Sequence, residues 1–173
     1  MKDRLSGFVR YLAYAMEIVV VYILGATPGL FPEIYGAKPA LLLCVALTAA
    51  VFEREIPAMV IGVICGVLID LGYANGVGVF SIVLTVVCFI VGYAANNLIV
   101  AKFTNFLVYS LLAVGGIFML YFLVHFVWAG VVDRWMYFTN HLLSRMVQTF
   151  LWSLLFYPLN RMIYQTLGEE YTN

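Results

Sequence analysis

The chain has 173 residues, of which 65% are hydrophobic and 10% charged; basic and acidic residues balance to a net charge of zero, and the mean hydropathy is +1.02. A soluble domain carries about 45–50% apolar and about 25% charged residues, so a soluble globular domain and a disordered chain are excluded. A nucleic-acid binder, which needs a basic excess to neutralise phosphates, is excluded as well.

What remains is a membrane protein with little mass outside the bilayer. At about 20 apolar residues per span and roughly 5–8 residues per connection, the chain holds about six transmembrane helices. The expected fold is an all-α, polytopic membrane helical bundle forming a single integral membrane domain over residues 1–173.

The first span is expected over 8–26. The basic N-terminus followed by an apolar run has the outline of a signal peptide. Glu17 interrupts that run and no small-x-small cleavage site precedes Pro28, so the segment reads as an uncleaved span. Thr27-Pro28-Gly29 and Phe31-Pro32-Glu33 then form a loop. A short second span over 37–52 ends at the densest charge cluster, Glu53-Arg54-Glu55. Proline is tolerated in a first helical turn, so the third span begins near Pro57 and runs to 71. Gly72, Asn75, Gly76 and Gly78 make the turn into a fourth span over 77–96, closed by Asn96 and Asn97. A fifth span is expected over 105–130 and a sixth over 139–164. Trp128, Trp135 and Tyr137 flank the loop between them, where aromatic rings suit the bilayer interface.

Basic residues sort by side. Lys2, Arg4, Arg10, Arg54, Lys102 and Arg161 fall on one side, Lys38 and Arg134 on the other. The positive-inside rule then places both termini in the cytoplasm. Cys44, Cys65 and Cys88 each lie inside an apolar run, with no C-x-x-C pairing and no adjacent histidine. They read as small hydrophobes.

Ionisable groups are costly in hydrocarbon, so Glu17, Asp70 and Arg145 carry the most information. His125, Gln148, Asn96 and Asn97 form a weaker polar set. Asp70 follows Gly62 and Gly66 at four-residue steps, which puts all three near one helix face. A Gly-x-x-x-Gly face lets a second helix approach closely. Asp70 then either caps a neighbouring turn or pairs with Arg145. At about 1.5 Å rise per residue, those two lie at similar depth, each a few residues from the outer end of its span. Glu17 lies near mid-depth, facing Gln148 or Ser153 of the last span, or a polar cavity. No metalloprotease, nucleophile-elbow or phosphate-loop motif is present. No carboxylate cluster has metal-ligand spacing, so no enzyme activity and no cofactor are expected.

The run Pro57-x4-Gly62-x3-Gly66-x-Leu68-x-Asp70-Leu71, then Gly76-x-Gly78 and an apolar span, resembles the rod shape-determining protein MreD family. That family has a glycine-rich third span ending in Gly-Leu-x-x-Asp, followed by a glycine turn. Val67 stands where the family commonly has Leu, and Glu53-Arg54-Glu55 replaces its glycine-containing loop. The resemblance extends in length and span order to a last span near Tyr157-Pro158-Leu159. It implies a non-catalytic subunit of the bacterial elongation machinery in the cytoplasmic membrane. Such a subunit binds the bitopic protein MreC and helps link MreB filaments to periplasmic wall synthases. It also implies a fold similar to the substrate-binding subunits of energy-coupling-factor vitamin transporters. That likeness keeps a solute-binding alternative open, with a pocket lined by Asp70, His125, Trp128 and Arg145. On the scaffold reading, the glycine face of the third span packs inside the bundle or receives MreC's single span.

Overall fold

Long apolar segments form helices because no water is present to satisfy a free backbone in lipid. A computed structural model describes residues 2–27, 38–73, 78–97, 103–123 and 142–168. Among these residues it holds six helices: α1 (Lys2–Ala26), α2 (Leu41–Phe52), α3 (Glu55–Tyr73), α4 (Val79–Asn97), α5 (Phe103–Phe122) and α6 (Leu143–Gly168). Four of them, α1, α3, α4 and α5, are long and apolar enough to cross a membrane. Their outward faces carry exposed apolar residues such as Leu12, Val60, Ile82 and Leu112.

The expected sixth span, α6, is not among these four, and neither is the second, already expected to be short, which is α2. Its twelve residues make a helix of about 18 Å, against a hydrocarbon core of about 30 Å. Every residue of α2 is buried, and an all-round apolar helix belongs at a core. It packs against each of the other five helices. Around it the contacts run α1–α3–α4–α5–α6 and back to α1, so five helices ring a short central one.

A short helix inside the bundle must satisfy its own ends. At the N-terminal end the Ala40 N–H donates to Thr149 Oγ1 of α6 at 3.1 Å, and the Ala40 carbonyl accepts from Leu43 and Cys44. At the C-terminal end the Glu53 carbonyl accepts from Asn96 Nδ2 of α4 at 2.9 Å.

The twenty-six-residue α6 reverses the arrangement of a soluble amphipathic helix. Leu143, Val147, Leu151, Leu155 and Leu159 face out, while Gln148, Thr149, Ser153 and Asn160 are buried. Its length of about 39 Å exceeds a bilayer core. An apolar outer stripe with polar groups turned inward is what lipid selects. The helix continues through Pro158, whose ring side is exposed.

The helices alternate in direction. At one end α1 and α2 meet through Arg10 and Glu53, α4 joins through Asn96, and α5 and α6 join through the Phe103–Tyr157 ring contact at 5.2 Å. Exposed Arg54 and Arg161 belong to this same end. The opposite end holds Asp70 and the first turn of α4. Trp128, Trp135 and Tyr137 lie outside the described residues.

Candidate functional site

The α3–α4 hairpin is assembled around missing side chains. A Cβ on Gly66 would stand 2.5 Å from Ser81 Cα and 2.9 Å from the Phe80 carbonyl oxygen. One on Gly62 would stand 3.0 Å from the Leu84 carbonyl oxygen and 3.0 Å from Cys88 Cβ. Toward the other end, Gly92 of α4 takes the same role, since its Cβ would meet Ala58 Cβ at 3.0 Å. The Gly62–Gly66 face is therefore occupied by α4. Of the two arrangements left open by the sequence, internal packing is the one the chain adopts.

Asp70, 4% exposed, continues the same face and caps α4. Its Oδ1 accepts from the Phe80 N–H at 3.2 Å, and its Oδ2 from the Ser81 N–H at 2.8 Å and the Ser81 hydroxyl at 2.6 Å. These N–H groups belong to the first turn of α4 and have no partner within that helix. A carboxylate there is also favoured by the helix dipole. Gly78, with φ of +70°, supplies the left-handed turn into α4. Gly76 lies outside the described residues.

Asp70 and Arg145 do not pair. Both Asp70 oxygens are held by α4, and the Arg145 guanidinium lies 5.7 Å from the centroid of the Phe118 ring of α5. The helix carrying Arg145 packs on α1, α2 and α5, and α3 lies across the ring from it. The pocket lining suggested by Asp70, His125, Trp128 and Arg145 is likewise altered. Asp70 is turned into the hairpin, and His125 and Trp128 are outside the described residues.

Two polar contacts attach α1. The Arg10 guanidinium grips Glu53 through an ion pair at 2.9 Å and a hydrogen bond at 3.2 Å. Arg10 also lies over the rings of Tyr11 and Tyr164, at 5.3 and 5.6 Å. Deeper in, Glu17 faces α6, as the sequence suggested, but meets neither Gln148 nor Ser153. Its Oε1 accepts from Asn160 Nδ2 at 3.0 Å, and the same amide reaches Thr48 Oγ1 of α2 at 3.0 Å. Gln148 instead donates to Ser144 on its own helix, and Ser153 to the Phe150 carbonyl.

Sequence reasoning missed Ser81, Thr48, Asn160 and the Arg10–Glu53 pair. A signal for Asn160 was present, because Gln148, Thr149, Ser153 and Asn160 recur along one side of α6. The Arg10–Glu53 pair is hidden by its position, since both residues read as headgroup-level charges.

Chemically, these groups join helices. Cys44 Sγ donates to the Thr149 carbonyl at 3.1 Å, which ties α2 to α6, and all three cysteines are buried thiols. Among the described residues no cluster of His, Cys, Asp or Glu is placed to hold a metal ion.

Neither a curated protein nor a solved structure matches this chain. The sequence does match the family described as rod shape-determining protein MreD, over residues 7–167. The match takes in α2 to α5 whole and nearly all of α1 and α6, including the Gly62–Gly66–Asp70 hairpin face. The chain thus belongs to the rod shape-determining MreD family, whose members are non-catalytic membrane proteins.

Proposed function

We propose that this protein is a scaffold of the bacterial elongation complex, working through helix–helix docking. In this role it binds an MreC-like bitopic protein and helps couple MreB filaments to peptidoglycan synthases and cell shape. The observation that carries the reading is the family match over nearly the whole chain. The geometry is compatible with it. Buried Glu17 of α1, Asp70 of α3 and Asn160 of α6 are bonded to neighbouring helices, and exposed apolar residues line the outward faces.

Since the glycine face is filled by α4, a partner's single span would dock on an outward face. The protein sits in the bacterial cytoplasmic membrane with both termini inside, following its basic residues. The Arg10, Arg54 and Arg161 end of the bundle would then lie at the cytoplasmic surface. Membrane lipid covers what the partner does not. No cofactor and no nucleic acid takes part. Gly62, Gly66, Asp70 and Gly78, with Gly76, hold the hairpin; Glu17 and Arg145 fix α1 and α6.

The test is depletion in a rod-shaped host, with affinity capture of the tagged protein. Cell rounding with recovery of an MreC-like bitopic protein is the predicted result. Normal rods with co-purified transporter ATPase subunits would overturn the scaffold reading.

A further inference from the structure

Glu17 is buried within a membrane-crossing helix, 9% exposed, and Asn160 opposite it is wholly buried. Their hydrogen-bond inventory is incomplete. The Asn160 amide sends one hydrogen to Glu17 Oε1 at 3.0 Å. The other lies between Thr48 Oγ1 at 3.0 Å and the Phe156 carbonyl at 3.3 Å. Thr48 directs its own hydroxyl to the carbonyls of Cys44 and Val45 at 2.8 and 3.0 Å. It can therefore only accept from Asn160, which sets the orientation of the amide. Two buried oxygens then lack a donor: Glu17 Oε2 and Asn160 Oδ1.

Both belong to groups already joined by one hydrogen bond. No cationic side chain among the described residues lies within ion-pair distance of the Glu17 carboxyl. Arg10, about 10 Å along the same helix, is committed to Glu53. An ionised carboxylate here would be an uncompensated charge in a low-dielectric interior, costing several kcal/mol. A single proton removes the charge and supplies the missing donor together.

We propose that Glu17 is held in the membrane as the uncharged carboxylic acid, its Oε2 hydroxyl donating to Asn160 Oδ1. The acid and the amide then form a two-hydrogen-bond ring. That ring is the inner fastening of α1 on the α2–α6 core, and Arg10–Glu53 is the outer one. The titratable groups that feel Glu17, Tyr14 on α1 and Cys65 on α3, are neutral.

The decisive measurement is infrared spectroscopy of the full-length protein, reconstituted in phosphatidylethanolamine–phosphatidylglycerol vesicles at neutral pH. The wild type should show the carbonyl band of a protonated carboxyl. The band should persist in Glu53→Gln and disappear in Glu17→Gln. Glu17→Gln should keep a melting temperature close to wild type, because its amide N–H replaces the acid O–H. Glu17→Ala should melt lower. Asn160→Leu, which retains Glu17, should move the band to higher frequency as its hydrogen bond is lost. No protonated-carboxyl band in the wild type would overturn the proposal whether or not any variant folds. A band unmoved by Asn160→Leu, or Glu17→Gln melting as low as Glu17→Ala, would overturn it too.

Discussion

At the residue scale, a few tenths of an ångström separate the two glycines of α3. The Cβ of an alanine at position 66 would collide with backbone, at 2.5 Å from Ser81 Cα, and backbone cannot swing away. At position 62 the nearest atoms lie at 3.0 Å, and one of them is a side-chain atom of Cys88. Overpacking costs about 1–3 kcal/mol. Gly66→Ala should lie at the top of that range and Gly62→Ala at the bottom. Thermal melting of the purified variants in detergent would show the order, and a reversed order would mean that α4 is not seated as described. Asp70→Ala removes the cap of α4 and should cost about 1–2 kcal/mol. Ser81→Ala should cost less, and the double variant should fall short of the sum because the two groups share a bond. The glycine–aspartate spacing made this face legible in the sequence, and Asp70 as a cap was one of its two readings. The Asp70–Arg145 pair failed for a geometric reason. Rise per residue gives depth in the membrane, but azimuth around the bundle depends on packing, and these two residues sit on helices that are not neighbours.

At the scale of the element, α2 and α6 are the helices that composition describes least well. Apart from Thr48, α2 is apolar all round, so little in the pattern of 41–52 distinguishes a central position from a lipid-exposed one. Its shortness was legible; its place at the axis was not. In α6 the polar residues lower the mean hydropathy and disguise a helix whose outer stripe from Leu143 to Leu159 is apolar. Placing a lysine at exposed Leu155 should therefore cost about 2.5–3.5 kcal/mol of insertion free energy. Ser153→Ala, on the inner side, should leave insertion unchanged. A glycosylation-mapped insertion assay would read both, and equal tolerance at the two positions would contradict the orientation of α6. The attachment of α1 gives another test. Glu53→Ala takes the partner from the part-buried Arg10 guanidinium and should cost about 1.5–3 kcal/mol, as losing a hydrogen bond between charged groups does. Arg10→Ala together with Glu53→Ala should recover part of that loss, giving a double-mutant cycle far from additive.

At the scale of the whole molecule, the ring of five helices around α2 constrains where a partner can act. A Gly-x-x-x-Gly face often marks the contact between separate membrane helices, and the sequence alone could not say whether Gly62 and Gly66 serve such a contact. In the folded chain they are spent on α4. Substitutions there should act on the partner only through the amount of folded protein. Capture of an MreC-like partner by Gly62→Ala or Gly66→Ala should fall in proportion to the membrane level of the variant, leaving the capture-to-level ratio unchanged. Tryptophan scanning of outward positions, such as Met16 on α1, Val60 on α3, Ile82 on α4 and Leu112 on α5, should separate the two quantities. On the docking face, capture should drop while the level holds. A Gly66→Ala protein that accumulates normally yet captures no partner would place the docking surface inside the α3–α4 seam. The hairpin would then have to open for its partner, at the cost of the three hydrogen bonds that Asp70 makes to α4.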